Sequence, residues 1–185
     1  MIYAEAAEPP TLCLDCRVSP PPWDTVIFFG PYEGRLKELV LRFKFQSQLG
    51  LGGVLHSMLR LSLSARGVSD HDLIIPVPLH SRKLSRRGFN QSLELARGLA
   101  DKGSGRLEPR ALTRIRNTPA QHTLPRAKRM HNLTGAFQAD PSLVRERSVL
   151  LIDDILTTGA TAHAASRALR QGGAANIDLL VLARA

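Results

Sequence analysis

Asp153 and Asp154 stand side by side after the apolar run Val149-Leu150-Leu151-Ile152, and Thr157, Thr158 and Thr161 follow them around Gly159. Ionised carboxylates accept hydrogen bonds and cannot donate them, so this pair suits the vicinal hydroxyls of a ribose and repels a phosphate. The turn Thr157-Thr158-Gly159-Ala160-Thr161 offers the opposite chemistry: hydroxyl and amide donors, with a glycine that lets the main chain close on an anion. A single ligand that carries both a sugar diol and a phosphate satisfies both halves.

Such a constellation needs elements to hold it. The aliphatic run reads as a strand buried on both faces, and Ala162 to Gln171 reads as the following helix, closed by Gly172-Gly173. In an open α/β sheet, ligands collect outside the carboxyl ends of strands, and the next helix offers unpaired amides to an anion. An acid pair at a strand end is common, and Thr-Thr-Gly alone is an ordinary loop. The full order of strand, acids, turn and helix is what points to a ligand. A P-loop would need a Gly-Lys-Ser/Thr ending that is missing here, and no Gly-x-Gly-x-x-Gly suggests a dinucleotide fold.

Asp72 to Val77 predicts a second strand, ended by Pro76 and Pro78, which cannot donate to a central ladder. Directly after it come His80, Arg82, Lys83, Arg86, Arg87 and Gly88, then Phe89-Asn90-Gln91, with Asn90 placed to cap a helix through Leu93, Leu95, Ala96 and Leu99. If the two strands are neighbours, this basic loop faces the same crevice as the acids and could hold a polyanion. The plain alternative is a solvated basic turn or a nucleic-acid patch. Earlier in the chain, Thr25 to Phe29 predicts a short strand, and Leu36, Leu39, Val40 and Phe43 space an amphipathic helix. Its other face, with Arg35, Lys37, Arg42 and Lys44, reads as solvated surface, with anion binding by Lys44 the lesser reading. Leu51, Leu55, Met58 and Leu59 repeat the helical spacing. Leu107 to Ile115 predicts a further strand. The polar, proline-broken stretch from Arg116 to Arg126 reads as a lid, with Gln121, Arg126, Lys128, Arg129 and Asn132 as residues that could close over a ligand. Ala127 to Leu133 can be helical, and Gly135-Ala136-Phe137 starts an extended piece.

A chain of 185 residues with 43% hydrophobic content suits one main domain, here residues 25–185, behind a proline-rich irregular arm over residues 1–24. A formal net charge of +9 implies anionic partners, phosphorylated metabolites and nucleic acid alike. With 5% aromatic residues, nucleic-acid binding would be mainly electrostatic. No apolar run approaches the ~20 residues of a membrane span, and the expected location is the cytoplasm. Cys13 and Cys16 form half a zinc knuckle, where a closed site needs four ligands. The preferred reading is the remnant of a zinc module, followed by reduced thiols and then a redox pair.

Val149 to Thr161 meets every position of a pattern of four apolar residues, two acids, two apolar residues and Thr-Thr-Gly-x-Thr. It resembles the 5-phosphoribosyl 1-pyrophosphate (PRPP) signature of type I phosphoribosyltransferases. Arg42-Phe43-Lys44-Phe45, Pro76-Val77-Pro78-Leu79-His80, Arg87-Gly88-Phe89-Asn90-Gln91 and the series Gln121, Leu124, Arg129, Asn132 before Gly135-Ala136-Phe137 extend the likeness. Together they make the chain from about residue 13 to 185 similar to the ComF (GntX-like) family of phosphoribosyltransferase-related proteins. The resemblance implies an α/β, Rossmann-like three-layer fold of the type I phosphoribosyltransferase kind, with a mostly parallel central sheet flanked by helices and a short irregular N-terminal arm. It implies an association with competence for DNA uptake, and a four-cysteine zinc module of which this chain keeps only Cys13 and Cys16.

Carried over by residue, the resemblance makes Asp153 and Asp154 the catalytic pair that grips the ribose hydroxyls of PRPP. Thr157, Thr158, Gly159, Ala160 and Thr161 become the cradle of its 5-phosphate. His80, Arg82, Lys83, Arg86 and Arg87 become the loop on its pyrophosphate, with Mg²⁺. Gln121, Arg126, Lys128 and Arg129 remain the lid. The implied reaction displaces pyrophosphate at C1 of ribose by a nitrogen nucleophile, and residues 25–70 are the hood-like segment facing an acceptor that nothing in them specifies. The alternative is a binding protein on the same fold, a PRPP sensor or a holder of single-stranded DNA. Its further partner would be a second copy of the chain or a component of the competence machinery.

Overall fold

Strands too apolar to leave either face in water must be covered on both, and this chain does so with a parallel sheet between two outer layers. The computed structural model describes residues 17–18, 20–45, 49–67, 71–80, 84–85, 88–100, 104–118 and 132–185. In chain order the elements are β1 (Thr25–Pro31), α1 (Gly34–Phe45), α2 (Gly52–Ala65, entered through a 3₁₀ turn), β2 (Leu73–Pro76) and α3 (Gln91–Ala100). Then come β3 (Arg106–Leu107), β4 (Leu112–Arg114), β5 (Phe137–Ala139), α4 (Pro141–Val144), β6 (Ser148–Leu156), α5 (Ala160–Gln171) and β7 (Asn176–Arg184). The main sheet runs β1-β7-β6-β2-β3 with every neighbour parallel, and β4 pairs with β5 in a separate antiparallel ribbon.

The two-residue period of a strand sorts β6 between the layers. Leu150 and Ile152 join Val40 and Phe43 of α1, Leu55 and Leu59 of α2, and Leu95 and Leu99 of α3 in one core cluster. Val149 and Leu151 join Ala165 and Leu169 of α5 and Leu112 and Phe137 of the ribbon in the other. Continued two residues further, the alternation sends Asp154 toward the face of α1 and Asp153 toward the face of α5.

Connectivity creates the crevice. From β6 the chain crosses through α5 to β7, whereas from the adjacent β2 it crosses through α3 to β3, on the other side and over the other face. The two crossovers part company at the carboxyl ends of β2 and β6, which is where an open α/β sheet holds its ligands. The register Pro76↔Ile152 sets the two strand ends level, and Val77 N–H adds one more bond to the Ile152 carbonyl at 2.9 Å.

Several sequence expectations change in detail. Leu107 to Ile115 is two strands, because Pro109 lacks an N–H and a turn from Glu108 to Ala111 (3.3 Å) redirects the chain from the sheet into the ribbon. Within residues 25–70, β1 lies in the main sheet against β7, and α1 and α2 bury Val40, Phe43, Leu55 and Leu59 in its core. The described end of the arm, at Pro22 and Asp24, is held against the domain. Arg170 of α5 pairs with the Asp24 carboxylate and donates to the Pro22 carbonyl, while Asp24 N–H donates to the Ile177 carbonyl at 2.8 Å. Among the described residues no helix is long and apolar enough to cross a membrane.

At the amino ends of the strands, far from the crevice, His71 and Asp178 form a buried pair at 2.9 Å. Burial works against the Asp178 charge, but the hydrogen bond and charge of His71, with hydrogen bonds from Asn176 and Thr25, outweigh it and hold the carboxyl below its ordinary range. A depressed folded pKa stabilises above the unfolded value, about 3.9, and that contribution disappears as pH falls through the folded value. Asp178→Asn should therefore lower unfolding free energy by about 1–3 kcal/mol at pH 7 in urea titrations. The difference from wild type should shrink below pH 4.

Candidate functional site

Three elements converge on the acid pair. Lys44, in the last turn of α1, where the helix dipole favours a cation, places its Nζ 2.6 Å from Asp154 Oδ2. The two side chains are only 22% and 11% exposed, so the pair sits mostly out of water. The solvated surface expected for Lys44 is therefore corrected. Arg42, one turn's face away, does pair outward with Glu38 at 3.8 Å.

Asp153 is held differently. Its Oδ1 accepts from Ser92 Oγ at 3.1 Å and from the Asp154 N–H at 2.9 Å. Burial first, and then the negative charge of Asp154, push its carboxyl up to about 7. Lys44 and the two hydrogen bonds pull the other way without cancelling the rise. Near neutral pH the two acids thus share less than two full charges, as expected for coupled carboxylates.

Ser92 is positioned by the start of α3. Asn90 caps that helix by accepting from Ser92 N–H at 3.1 Å and donates through Nδ2 to the Val77 carbonyl at 3.1 Å. Gln91 donates to the Lys44 carbonyl at 3.3 Å. Asn90, Gln91 and Ser92 therefore tie together the end of β2, the end of α1 and the acid on β6. Phe89 packs edge-on to Phe43 at 5.9 Å and fixes the same corner from the core side.

On the other wall stands Arg114, at the end of β4. Burial pushes its guanidinium below its usual value while the charge of Asp153 pulls it back up. One Nη donates to Thr118 Oγ1 at 2.6 Å, and the guanidinium lies 5.4 Å from the Phe137 ring centre. Its Nε is buried with no acceptor among the described residues.

Beyond the acids, β6 ends at Leu156 and the chain turns through Thr157, Thr158 and Gly159 into α5. Gly159 has φ +74°, a left-handed conformation that a side chain disfavours. A Cβ there would meet only ordinary contacts, Trp23 at 3.6 Å and Leu156 at 3.8 Å, so the requirement is conformational and not one of space. As N-cap, Gly159 supplies no side-chain acceptor, and the first turn of α5 leaves its leading amides without intrahelical partners. The threonine turn encloses a shallow hollow of about 40 Å³ bordered by Asp153, Thr158, Gly159 and Thr161. That is room for one terminal group, with the rest of a ligand extending along the acids.

Of the residues singled out from sequence, Asp153, Thr157, Thr158, Gly159, Ala160 and Thr161 border this one hollow, and Asp154 stands next in the chain to Asp153, paired with Lys44. His80 is half-buried in the loop after β2, and its carbonyl accepts from Leu84 N–H at 3.0 Å. Arg82, Lys83, Arg86 and Arg87, the lid residues Gln121, Arg126, Lys128 and Arg129, and Cys13 and Cys16 lie outside the described residues. Sequence reasoning missed Ser92, Arg114 and the partnership of Lys44 with Asp154. Asn90-Gln91 immediately before Ser92 was the available signal for the first. Nothing local marks the others, because their partners are remote in the chain.

The comparisons with known proteins agree with this layout. The family model described as "Phosphoribosyl transferase domain" matches residues 92–185. DNA utilization protein YhgH of Escherichia coli O6:H1 is 35% identical over 176 residues, covering 93% of this chain and 77% of that protein. Competence protein F of Haemophilus influenzae is 33% identical, over 94% of this chain and 78% of its own length. Competence protein ComFC of Bacillus subtilis is 29% identical, over 94% and 72%. Among solved structures, glutamine PRPP amidotransferase from B. subtilis superposes with a TM-score of 0.52 at 20% identity, over 76% of this chain and 30% of that chain. The allosteric regulatory enzyme of purine biosynthesis gives 0.51 at 18% identity, over 77% and 30%. This chain thus spans less than a third of either structure, and the likeness concerns the fold.

The unequal settings of the two acids generate distinct outcomes. The raised Asp153 value means that between about pH 4 and pH 7 the folded chain keeps a proton that the unfolded chain has released, so stability falls as pH rises through that window. Asp153→Asn should flatten this decline, narrowing the gap between melting temperatures measured at pH 5 and pH 8. Asp154→Asn should instead strand Lys44 and destabilise by about 1–3 kcal/mol at pH 7, less than a fully buried pair because the ammonium can turn to water.

Proposed function

The chain belongs to the phosphoribosyl transferase domain family, alongside competence protein F and DNA utilization protein YhgH, and on that premise we propose that its crevice binds PRPP and transfers the phosphoribosyl group to a nitrogen nucleophile, releasing pyrophosphate. The observation that carries this reading is the meeting of an acid pair and an amide-rich threonine turn at the point where the crossovers from β2 and β6 diverge. Asp153 and Asp154 would accept from the ribose hydroxyls, and Thr157 to Thr161 would seat the 5-phosphate on the unpaired amides of α5. Attack by nitrogen at C1 forms the C–N bond as the C1–O bond to pyrophosphate breaks, and the proton lost from nitrogen passes to solvent.

Charge does most of the work in such a reaction, because the leaving group gathers negative charge while C1 becomes cation-like. The acid pair lies beside the sugar where that positive character develops. Arg114, with a buried Nε lacking an acceptor, stands on the ribbon side of Asp153 and is suited to an anionic group of the ligand. The segment from His80 to Arg87 comes directly after β2 in the chain and would meet the pyrophosphate. Magnesium would supply charge neutralisation on the pyrophosphate. The fit is reasonable: Mg²⁺ usually binds through substrate phosphates and one or two protein oxygens. Among the described residues no cluster of three His, Cys, Asp or Glu side chains offers a dedicated cage.

A second reading, PRPP sensing or retention of single-stranded DNA without turnover, is favoured by the names of the relatives and by the net charge of +9. Calorimetric titration with Mg²⁺-PRPP should give saturable binding to the full chain and at least tenfold weaker binding to Asp153→Asn and Asp154→Asn, with circular dichroism showing all three folded. Retained affinity in both variants would remove the acid pair from the site. Pyrophosphate release with a panel of bases and amines then separates transfer from sensing. For DNA, affinity for an oligonucleotide should drop steeply between 50 and 200 mM salt with no base preference, in line with roughly one released counter-ion per phosphate contacted.

A further inference from the structure

The crevice uses the first turn of α5 and leaves the rest of that helix unexplained. Between its outward side and the segment 133–137 lies a cavity of about 250 Å³, well above the hollow at the threonine turn. Leu133, Phe137 and Ala164 line it with apolar and aromatic surface, and His163 and Arg167 stand one helical turn apart on its border. The two arginines of α5 have different fates. Arg170 is fully engaged, with Asp24 and with the carbonyls of Pro22, Ala174 and Ala175. Arg167 is exposed and has no ion-pair partner among the described residues. Burial, then the charge of Arg167, holds the His163 imidazole below its ordinary value, so near pH 7 it offers a hydrogen bond and Arg167 offers the charge.

We propose that this cavity is a second ligand site, distinct from the crevice, for a small planar aromatic anion whose ring packs among Leu133, Phe137 and Ala164 and whose carboxylate or phosphate meets Arg167 and His163. Size points to one ring system, since the volume falls just short of the roughly 300–1,000 Å³ of pockets for larger ligands. The apolar lining argues against a bare sugar phosphate or an inorganic ion, which would gain nothing from it. The Arg167 guanidinium, with no ion-pair partner among the described residues, asks for an anion, and a neutral ring would leave its charge unmatched. Ala160, the first residue of α5, borders both this cavity and the threonine turn, so occupancy here presses on the wall of the phosphate cradle.

The chain carries its own reporter. Trp23 is the sole tryptophan, and its ring meets His163 edge-on at 6.4 Å. The experiment titrates the full chain with benzoate and with nicotinate, with benzamide as the neutral isostere and inorganic phosphate as the ringless anion, following Trp23 fluorescence and heat. Saturable binding of the carboxylates is expected, at least tenfold weaker for benzamide and undetectable for phosphate at matched concentration. Arg167→Ala, a change at an exposed position, should weaken benzoate at least tenfold, whereas Asp153→Asn should leave it intact. The proposal is overturned if neither carboxylate binds, if benzamide matches benzoate, if phosphate displaces it, or if Asp153→Asn abolishes binding while Arg167→Ala does not. The last result would move the aromatic anion into the crevice.

Discussion

Two adjacent carboxylates in a place with little water are the interaction around which this molecule is arranged. Left alone, Asp153 and Asp154 would repel each other at close range in a poor dielectric, and the simplest relief is protonation. The fold instead brings a separate neighbour to each. Lys44 reaches Asp154 from α1 and Ser92 reaches Asp153 from α3, while the peptide N–H between the acids turns back on Asp153. The relief is incomplete, which is why Asp153 keeps a carboxyl value near neutrality. An acid pair so held retains acceptor capacity that a hydroxylated ligand can use, at the expense of local stability.

The architecture supports this at several removes. Lys44 and Ser92 come from α1 and α3, two helices packed in the same layer, and they reach the acids at the carboxyl end of β6. The reversal of crossover direction between β2 and β6 opens the space above them. The short segment Asn90-Gln91-Ser92 joins the ends of β2, α1 and β6 by side-chain bonds of 3.1 to 3.3 Å, so that the geometry depends on helix capping as much as on the sheet. Trp23 closes the far side by resting near Gly159, and the Asp24 clamp on Arg170 keeps it there.

Local pattern made much of this readable before any coordinates. The aliphatic run into Asp153 and Asp154, the threonine turn and the amphipathic helices all announce themselves within a few residues, and each lies where the pattern puts it. The strand-ending prolines after Ile75 likewise mark where the crevice opens. What stayed hidden is long-range. Lys44 looked like one more cation on a solvated helix face because its partner is over a hundred residues away in the chain. Arg114 sat inside what read as a single continuous strand, and only the turn at Pro109 carries it to the ribbon. The apolar stretch of β7 went unremarked although it pairs on both sides, because strand order in a parallel sheet is decided by packing of crossovers and not by any local signal.

The position of β7 has one more outcome, for how the chain is made. It is the last strand of the sheet in chain order, yet it lies between β1, the first, and β6. While a ribosome is still elongating the chain, β1 with α1 and α2 has no strand to pair with, and its aliphatic residues must wait for Asn176–Arg184 to emerge. Pairings that span nearly the whole length are slow to close, and an unpaired edge left waiting is exposed to association with other nascent chains. Sheet closure is therefore a late event for this polypeptide, and its vulnerable interval is biosynthesis.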